Sequence, residues 1–187
     1  MEESGLLDDL VRISPLQQVR DHIGAVHTQP HIDSVLAIDR TGPVAALAVG
    51  GILAAVNQVA GGNVRNAFCG VRPPGHHAHN SGGEEGFCFF SNAAIAARYA
   101  QTQFDLQRVL IIDWDYHHGN GTQDVFYDDP DVLFFSTHNK NDYPGTGDPA
   151  KTGTGEGEGF TINVHCPCRT SNDDMAGYWE QHLLDAA

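Results

Sequence analysis

The period of hydrophobic and polar positions changes several times along the chain. Leu6, Leu7, Leu10, Val11 and Ile13 share one stripe before Pro15, which predicts a short amphipathic helix ending there. Residues 19–36 carry a weaker version of that pattern. Residues 44–60 are apolar nearly all round and stop at Gly61-Gly62, the signature of a buried helix closed by glycine. Beyond this point the runs shorten. Residues 66–71 predict a strand, cut off by Pro73-Pro74 because proline has no N–H to give to a ladder. Residues 92–103 form an alanine-rich helix with Asn92 at its N-cap. Residues 108–113 are a continuous apolar run of strand length, suited to a strand covered on both faces. A short helix over 121–127, buried strands over 132–136 and 160–164, and a closing helix over 172–184 complete the series. Residues 146–159 are glycine-rich and read as a surface loop.

Strands alternating with helices predict βαβ units, a mostly parallel sheet and an α/β fold. In such sheets ligands bind outside the carboxyl ends of the strands. Polar clusters fall at those ends: His76-His77 after the first strand, residues 113–118 after the second, and Ser136-Thr137-His138 after the third. The expectation is one crevice served by three strand ends.

Composition narrows the function. The 187 residues include 41% hydrophobic ones, enough for the core of a single domain over 1–187. A formal charge of −14 excludes a nucleic-acid face built on phosphate neutralisation and suits a cationic substrate, although solubility alone would also explain it. No membrane span is expected, since the most apolar stretch contains Gly50, Gly51, Asn57 and Gln58. The acidic N-terminus lacks a signal-peptide pattern, and four irregularly spaced cysteines read as reduced thiols, so a cytoplasmic location is expected. Eleven histidines and 21 glycines, clustered in a few places, direct attention to the strand ends.

Asp115-x-His117 places a carboxylate and an imidazole two residues apart, facing the same way on extended backbone, as zinc or another borderline metal requires. A polar strand-end cluster without metal would look the same. His76-His77 follows a rigid Pro-Pro-Gly turn and suits general acid/base work if a carboxylate or amide orients each ring; Asp113 and Asn120 are the natural orienters. Two solvated loop histidines are the plain alternative. Phe87 and Tyr143, each beside glycines, could wall a narrow tunnel, but by residue type alone they read as ordinary packing. Other motifs fail. Ala150 occupies the second glycine position of a phosphate loop, Gly153-x-Gly155-x-Gly157 does not open a helix after a strand, and Cys166-Pro167-Cys168 has no partner pair. Cys69 and Cys88 read as buried thiols.

The segments Arg72-Pro73-Pro74-Gly75-His76-His77-Ala78, Gly86-Phe87-Cys88, Asn92, 113–122 (DWDYHHGNGT) and Tyr143-Pro144-Gly145-Thr146-Gly147 resemble the histone deacetylase superfamily, which also includes acetylpolyamine amidohydrolases and acetoin-utilisation proteins. Asn120 resembles the class II and bacterial branch. The resemblance implies the arginase/deacetylase-type three-layer fold with a parallel sheet. It implies zinc-dependent hydrolysis of the acetyl amide of an acetyl-lysine peptide or an acetylated polyamine. By position, Asp115 and His117 would bind zinc; His76 and His77 would be the acid/base pair, backed by Asp113 and Asn120. Phe87, Tyr143 and Gly86 would contact the substrate. A monovalent cation, usually potassium, would use Asp113, Ser136, Thr137 and carbonyls at Asp115, His117 and Thr137. A second would use carbonyls near Phe126, Asp129, Val132 and Phe160. An oligomer is compatible with all of this.

The resemblance further implies a third zinc-binding Asp and an oxyanion-stabilising Tyr in a Gly-Gly-Tyr loop. Neither motif stands in these 187 residues. The expectation is therefore a partial domain, incomplete at its C-terminus and short before residue 66. Asp142, Asp148, Glu156 and Glu158 are the substitutes to consider for the missing ligand. Two other functions stay open: a non-catalytic protein binding acetylated or cationic ligands, and an arginase-like dimanganese ureohydrolase, which needs further strand-end carboxylates.

Overall fold

The computed structural model describes residues 10–184 and 186. Its centre is a parallel sheet of β1 (Val109–Asp113), β2 (Val132–His138) and β3 (Thr161–His165), in that order. Register aligns Asp113 with Ser136 and Ser136 with Asn163, so polar residues come together at the carboxyl ends. The chain connects these strands through α5 (Asn120–Phe126) and a short 3-10 turn (Gly155–Gly157).

Alternation along the strands divides the core. Val109, Ile111 and Val132 pack with Ala94, Ala97 and Phe126 on the face covered by α4 (Asn92–Phe104) and α5. Ile112, Phe135, Ile162 and Val164 pack with Tyr178, Trp179 and Leu183 of and just beyond α6 (Asn172–His182) on the other. Helix, sheet and helix thus make the three layers that the resemblance implied. Outside α4 lie α1 (Arg20–Ile23), α2 (Gln29–Leu36) and α3 (Thr41–Ala60), joined through Ile23, Ile32, Val35, Val49, Leu53 and Ile95.

α3 is long and apolar enough to cross a membrane by length and composition. Here its Ala45, Val49 and Leu53 stripe lies in the core beside α4, while Val44, Leu47 and Val59 stay exposed, so the reading of a helix buried all round holds for one side only. Gly61 ends it as expected.

Several local expectations change. Leu6 and Leu7 lie outside the described residues, and residues 11–16 are not helical. Instead Leu16 N–H donates to Gly50 O at 3.0 Å, and any Cβ on Gly50 would overlap Leu16 O. Close passage over α3 has replaced local helix formation. Residues 66–71 form no strand, because no neighbouring strand pairs with them; Phe68 is 94% exposed. α4 is capped by Ser91 rather than Asn92. β1 is covered on one face but leaves Leu110 exposed and borders an apolar groove of about 700 Å³ with Ile52, Val56, Ala96 and Ala100. It is an edge strand among the described residues. The 146–159 segment is only partly superficial, since Gly147, Gly153 and Gly157 are buried.

Candidate active site

Two sheet strands and one loop, rather than three strand ends, build the site. β1 ends at Asp113 and passes into Asp115 and His117, while β2 ends at Ser136-Thr137-His138. His76 and His77 come from the turn after Pro73-Pro74. That turn is held against α5: Thr122 N–H donates to His76 O at 3.1 Å, and a Cβ on Gly121 would stand 2.5 Å from Ala78 O. Gly119 is equally constrained, since a Cβ there would overlap Asp113 Oδ2. The glycines of His118-Gly119-Asn120-Gly121 therefore permit the close approach that places Asn120 beside His77.

Each imidazole has its own orienting partner. His76 Nδ1 lies 2.9 Å from Asp113 Oδ2, and His77 Nδ1 lies 2.7 Å from Asn120 Oδ1. The rings are 4.0 Å apart between centroids. Their environments drive their protonation apart. Burial lowers the pKa of His76, but the Asp113 hydrogen bond and the Asp113 and Asp115 charges outweigh it, leaving a net rise. Burial lowers His77, and the neighbouring His76 and His117 add to the fall against the opposing bond from Asn120. Adjacent groups separated this way suit paired acid and base roles.

Asp115 Oδ1 accepts the backbone N–H of His117 at 2.8 Å and lies 3.2 Å from His117 Nδ1. Two ligands on one tetrahedral zinc, each about 2.0–2.1 Å from it, are separated by about 3.3 Å. The pair therefore fits two positions of one metal. Among the described residues no three His, Cys, Asp or Glu side chains gather around a common point, so the donor set is a pair and not a cage.

Aromatic residues stand at the rim. Tyr143 meets His77 edge-on at 4.9 Å and is 47% exposed. Phe87 is 70% exposed, on a turn whose Gly86 nests against His77 and Tyr143; a Cβ there would be 3.0 Å from Tyr143 Cε1. Below, Ser136 and Thr137 are buried. Ser136 Oγ bonds His138 Nδ1 at 2.9 Å, and Thr137 Oγ1 has no hydrogen-bond partner among the described residues. Asp113 and Ser136, aligned by the strand register, thus share one polar floor, while the Thr137 side chain points to the other face of the sheet.

Sequence reasoning assigned no role to three neighbours. Cys88 Sγ accepts His77 N–H at 3.5 Å, and burial raises its thiol pKa to about 11, which leaves it an inert packing group. Cys69, by contrast, is exposed and corrects the buried reading. His118 and His138 lie 4.6 Å apart between ring centroids beneath the site, their planes tilted by 51°, and burial is the main cause that lowers the pKa of both. Their position inside the His-rich motifs was the available signal.

The histone deacetylase domain model matches residues 1–187. The chain belongs to the histone deacetylase family. A probable deacetylase of Archaeoglobus fulgidus is 38% identical over 92% of this chain and 52% of its own length. The chloroplastic histone deacetylase 10 of Oryza sativa subsp. japonica is 44% identical over 83% of this chain and 31% of its own. Histone deacetylase 9 of Homo sapiens is 47% identical over 64% of this chain and 12% of its own. The chain spans about half the archaeal relative's length and less of the other two. Family membership agrees with the deacetylase resemblance and with the parallel-sheet α/β fold, here seen for part of such a domain.

Proposed function

We propose that this histone deacetylase domain contributes the acid/base pair and two zinc ligands to a zinc-dependent amide hydrolase. Its substrates would be acetylated primary amines: an acetyl-lysine peptide or an acetylated polyamine. The observation that carries this reading is the two oriented imidazoles, His76 on Asp113 and His77 on Asn120, beside the 3.2 Å Asp115–His117 donor pair. Asp115 and His117 would hold the metal, which when bound supplies Lewis-acid polarisation of the amide carbonyl. The remaining ligand and the oxyanion donor would come from sequence that the longer relatives possess.

The histidines divide the proton work. Asn120 Oδ1 accepts from His77 Nδ1–H, so Nε2 of a neutral His77 is the proton-accepting atom. It can remove a proton from the attacking water. Asp113 stabilises the protonated form of His76, which preserves positive charge near the developing oxyanion and can supply a proton to the leaving amine. Phe87 and Tyr143 would contact the alkyl chain of the substrate. Asp113 and Ser136, with backbone carbonyls at Asp115, His117 and Thr137, would supply the oxygen ligands of a potassium ion. A dimanganese ureohydrolase is less well supported, because among the described residues no three His, Cys, Asp or Glu side chains gather around one point, fewer than two metals need.

The test uses the full-length protein with an acetyl-lysine peptide and an acetylated polyamine, reading acetate release and bound zinc. His77→Ala should cost about 100- to 10,000-fold in rate with zinc retained. Asp115→Ala should lose the zinc. Full zinc occupancy in Asp115→Ala, or acetyl-amine binding without any zinc-dependent acetate release from the unaltered protein, overturns the reading.

A further inference from the structure

Phe87 sits at the tip of a two-residue hairpin. Glu85 and Cys88 exchange backbone hydrogen bonds of 2.9 and 2.8 Å, while Gly86 and Phe87 take φ of +52° and +66°. This is the geometry of a type I′ turn, which favours glycine or asparagine at both central positions and disfavours a bulky aromatic. Burial does not compensate, since the Phe87 side chain is mostly exposed. Beyond the buried Cys88 that follows it, the tip is held against the site by polar contacts.

One anchor runs through His79. Glu85 Oε2 accepts the backbone N–H of His79 at 2.7 Å, and Glu85 Oε1 lies 3.3 Å from His79 Nδ1. On the opposite edge of the ring, His79 Nε2 lies 2.8 Å from Asp124 Oδ2. The two carboxylates use different ring nitrogens, so the trio is a bridge and cannot converge on one metal. Its three members belong to the three pieces of the site. His79 is two residues beyond His77. Glu85 opens the Phe87 turn. Asp124 lies one helical turn beyond Asn120, which orients His77.

We propose that His79, Glu85 and Asp124 are positioning residues that set the distance of the Phe87 turn from the His77 ring, and so determine how firmly the alkyl chain of an acetylated amine is gripped. The substrate part rests on the deacetylase reading. The anchoring part does not. The bridge acts on binding rather than on proton transfer, because neither His79 nor Glu85 touches the reacting atoms.

The chemistry distinguishes two variants at Glu85. Glu85→Ala removes both contacts. Glu85→Gln can restore them without charge: its amide oxygen accepts His79 N–H, its amide N–H donates to Nδ1, and Nε2–H still donates to Asp124. In the full-length protein, Glu85→Ala is expected to raise KM for an acetyl-lysine peptide by about tenfold while kcat stays within about threefold, and Glu85→Gln to recover most of the loss. Hydrogen exchange gives a readout independent of activity. The Cys88 amide, bonded within the turn, should exchange about ten times faster in Glu85→Ala, with β2 amides unchanged. If Glu85→Ala fails to fold, Asp124→Ala removes the solvent side of the bridge and should shift KM and exchange in the same direction. Unchanged turn exchange overturns the proposal whatever the activity. A fall in kcat at constant KM, or Glu85→Gln as impaired as Glu85→Ala, overturns it as well. If the unaltered protein releases no acetate, the deacetylase reading falls and exchange alone decides whether the bridge anchors the turn.

Discussion

His27 offers a test of the core that is independent of metal and substrate. Its ring is 4% exposed and stacks on His31 at 4.7 Å. Nε2 accepts the Ser91 N–H at 2.9 Å, and Nδ1 lies 3.3 Å from Asn80 Oδ1. Proton uptake would turn the Nε2 acceptor into a donor facing another donor. Burial first, then the neighbouring His31, lower its pKa from the ordinary 6.5 to about 4. Between those values the unfolded chain holds a proton that the folded chain does not. Unfolding then takes up a proton, so stability is full above pH 6.5 and is lost as pH falls toward 4. For one such group the linkage amounts to about 2 kcal/mol lost between pH 7 and pH 5, with a slope near pH 5 of about 1 kcal/mol per pH unit. The assay is urea denaturation of the native chain and His27→Gln at several pH values from 7.5 to 4.5, with chelator present throughout. Glutamine can still accept from Ser91 but has no proton to gain, so its slope should be shallower by about one proton. Taking the difference removes every other titrating group from the comparison. His77, His118 and His138 act with the same sign, whereas His76, whose pKa is raised, stabilises at low pH and loses that contribution as pH rises through its folded value. Coincident slopes for the two proteins would refute the reasoning.

Three further outcomes test other contacts. Gly147→Ala should cost about 2–4 kcal/mol by urea denaturation, because φ is +85° there and the added methyl would overlap His138 Nε2. Arg98→Ala should cost about 3 kcal/mol, since it strands the largely buried Asp129 carboxylate 2.5 Å away and uncovers the Phe126 ring. Ser171→Ala breaks the capping box with Asp174 and should lower stability by about 1 kcal/mol, with faster amide exchange confined to the first turn of α6.

Runs of apolar residues were enough to place α3, α4, β2, β3 and α6, because each buries a face whose period is written into consecutive residues. The His-rich segments likewise located the candidate site. Asp115 and His117 share one local turn, and a two-residue spacing places both donors together without help from the rest of the chain. Other features needed partners distant in sequence. Residues 66–71 have strand composition but no neighbour to pair with. Residues 11–16 have helical composition but follow the surface of α3 where Gly50 admits them. Ser91 displaced Asn92 as the cap residue of α4, and its N–H is taken by His27. The pairing of His76 with Asp113 and of His77 with Asn120 spans 37 and 43 residues, and only glycines at 119 and 121 allow those backbones to approach closely enough. The His79 bridge was invisible for the same reason. Sequence by itself determined most of the elements, the family and the closeness of Asp115 to His117, since these depend on neighbours along the chain. Tertiary structure decided which carboxylate orients which histidine and what holds the Phe87 turn, since those contacts depend on how closely separate backbones can pack.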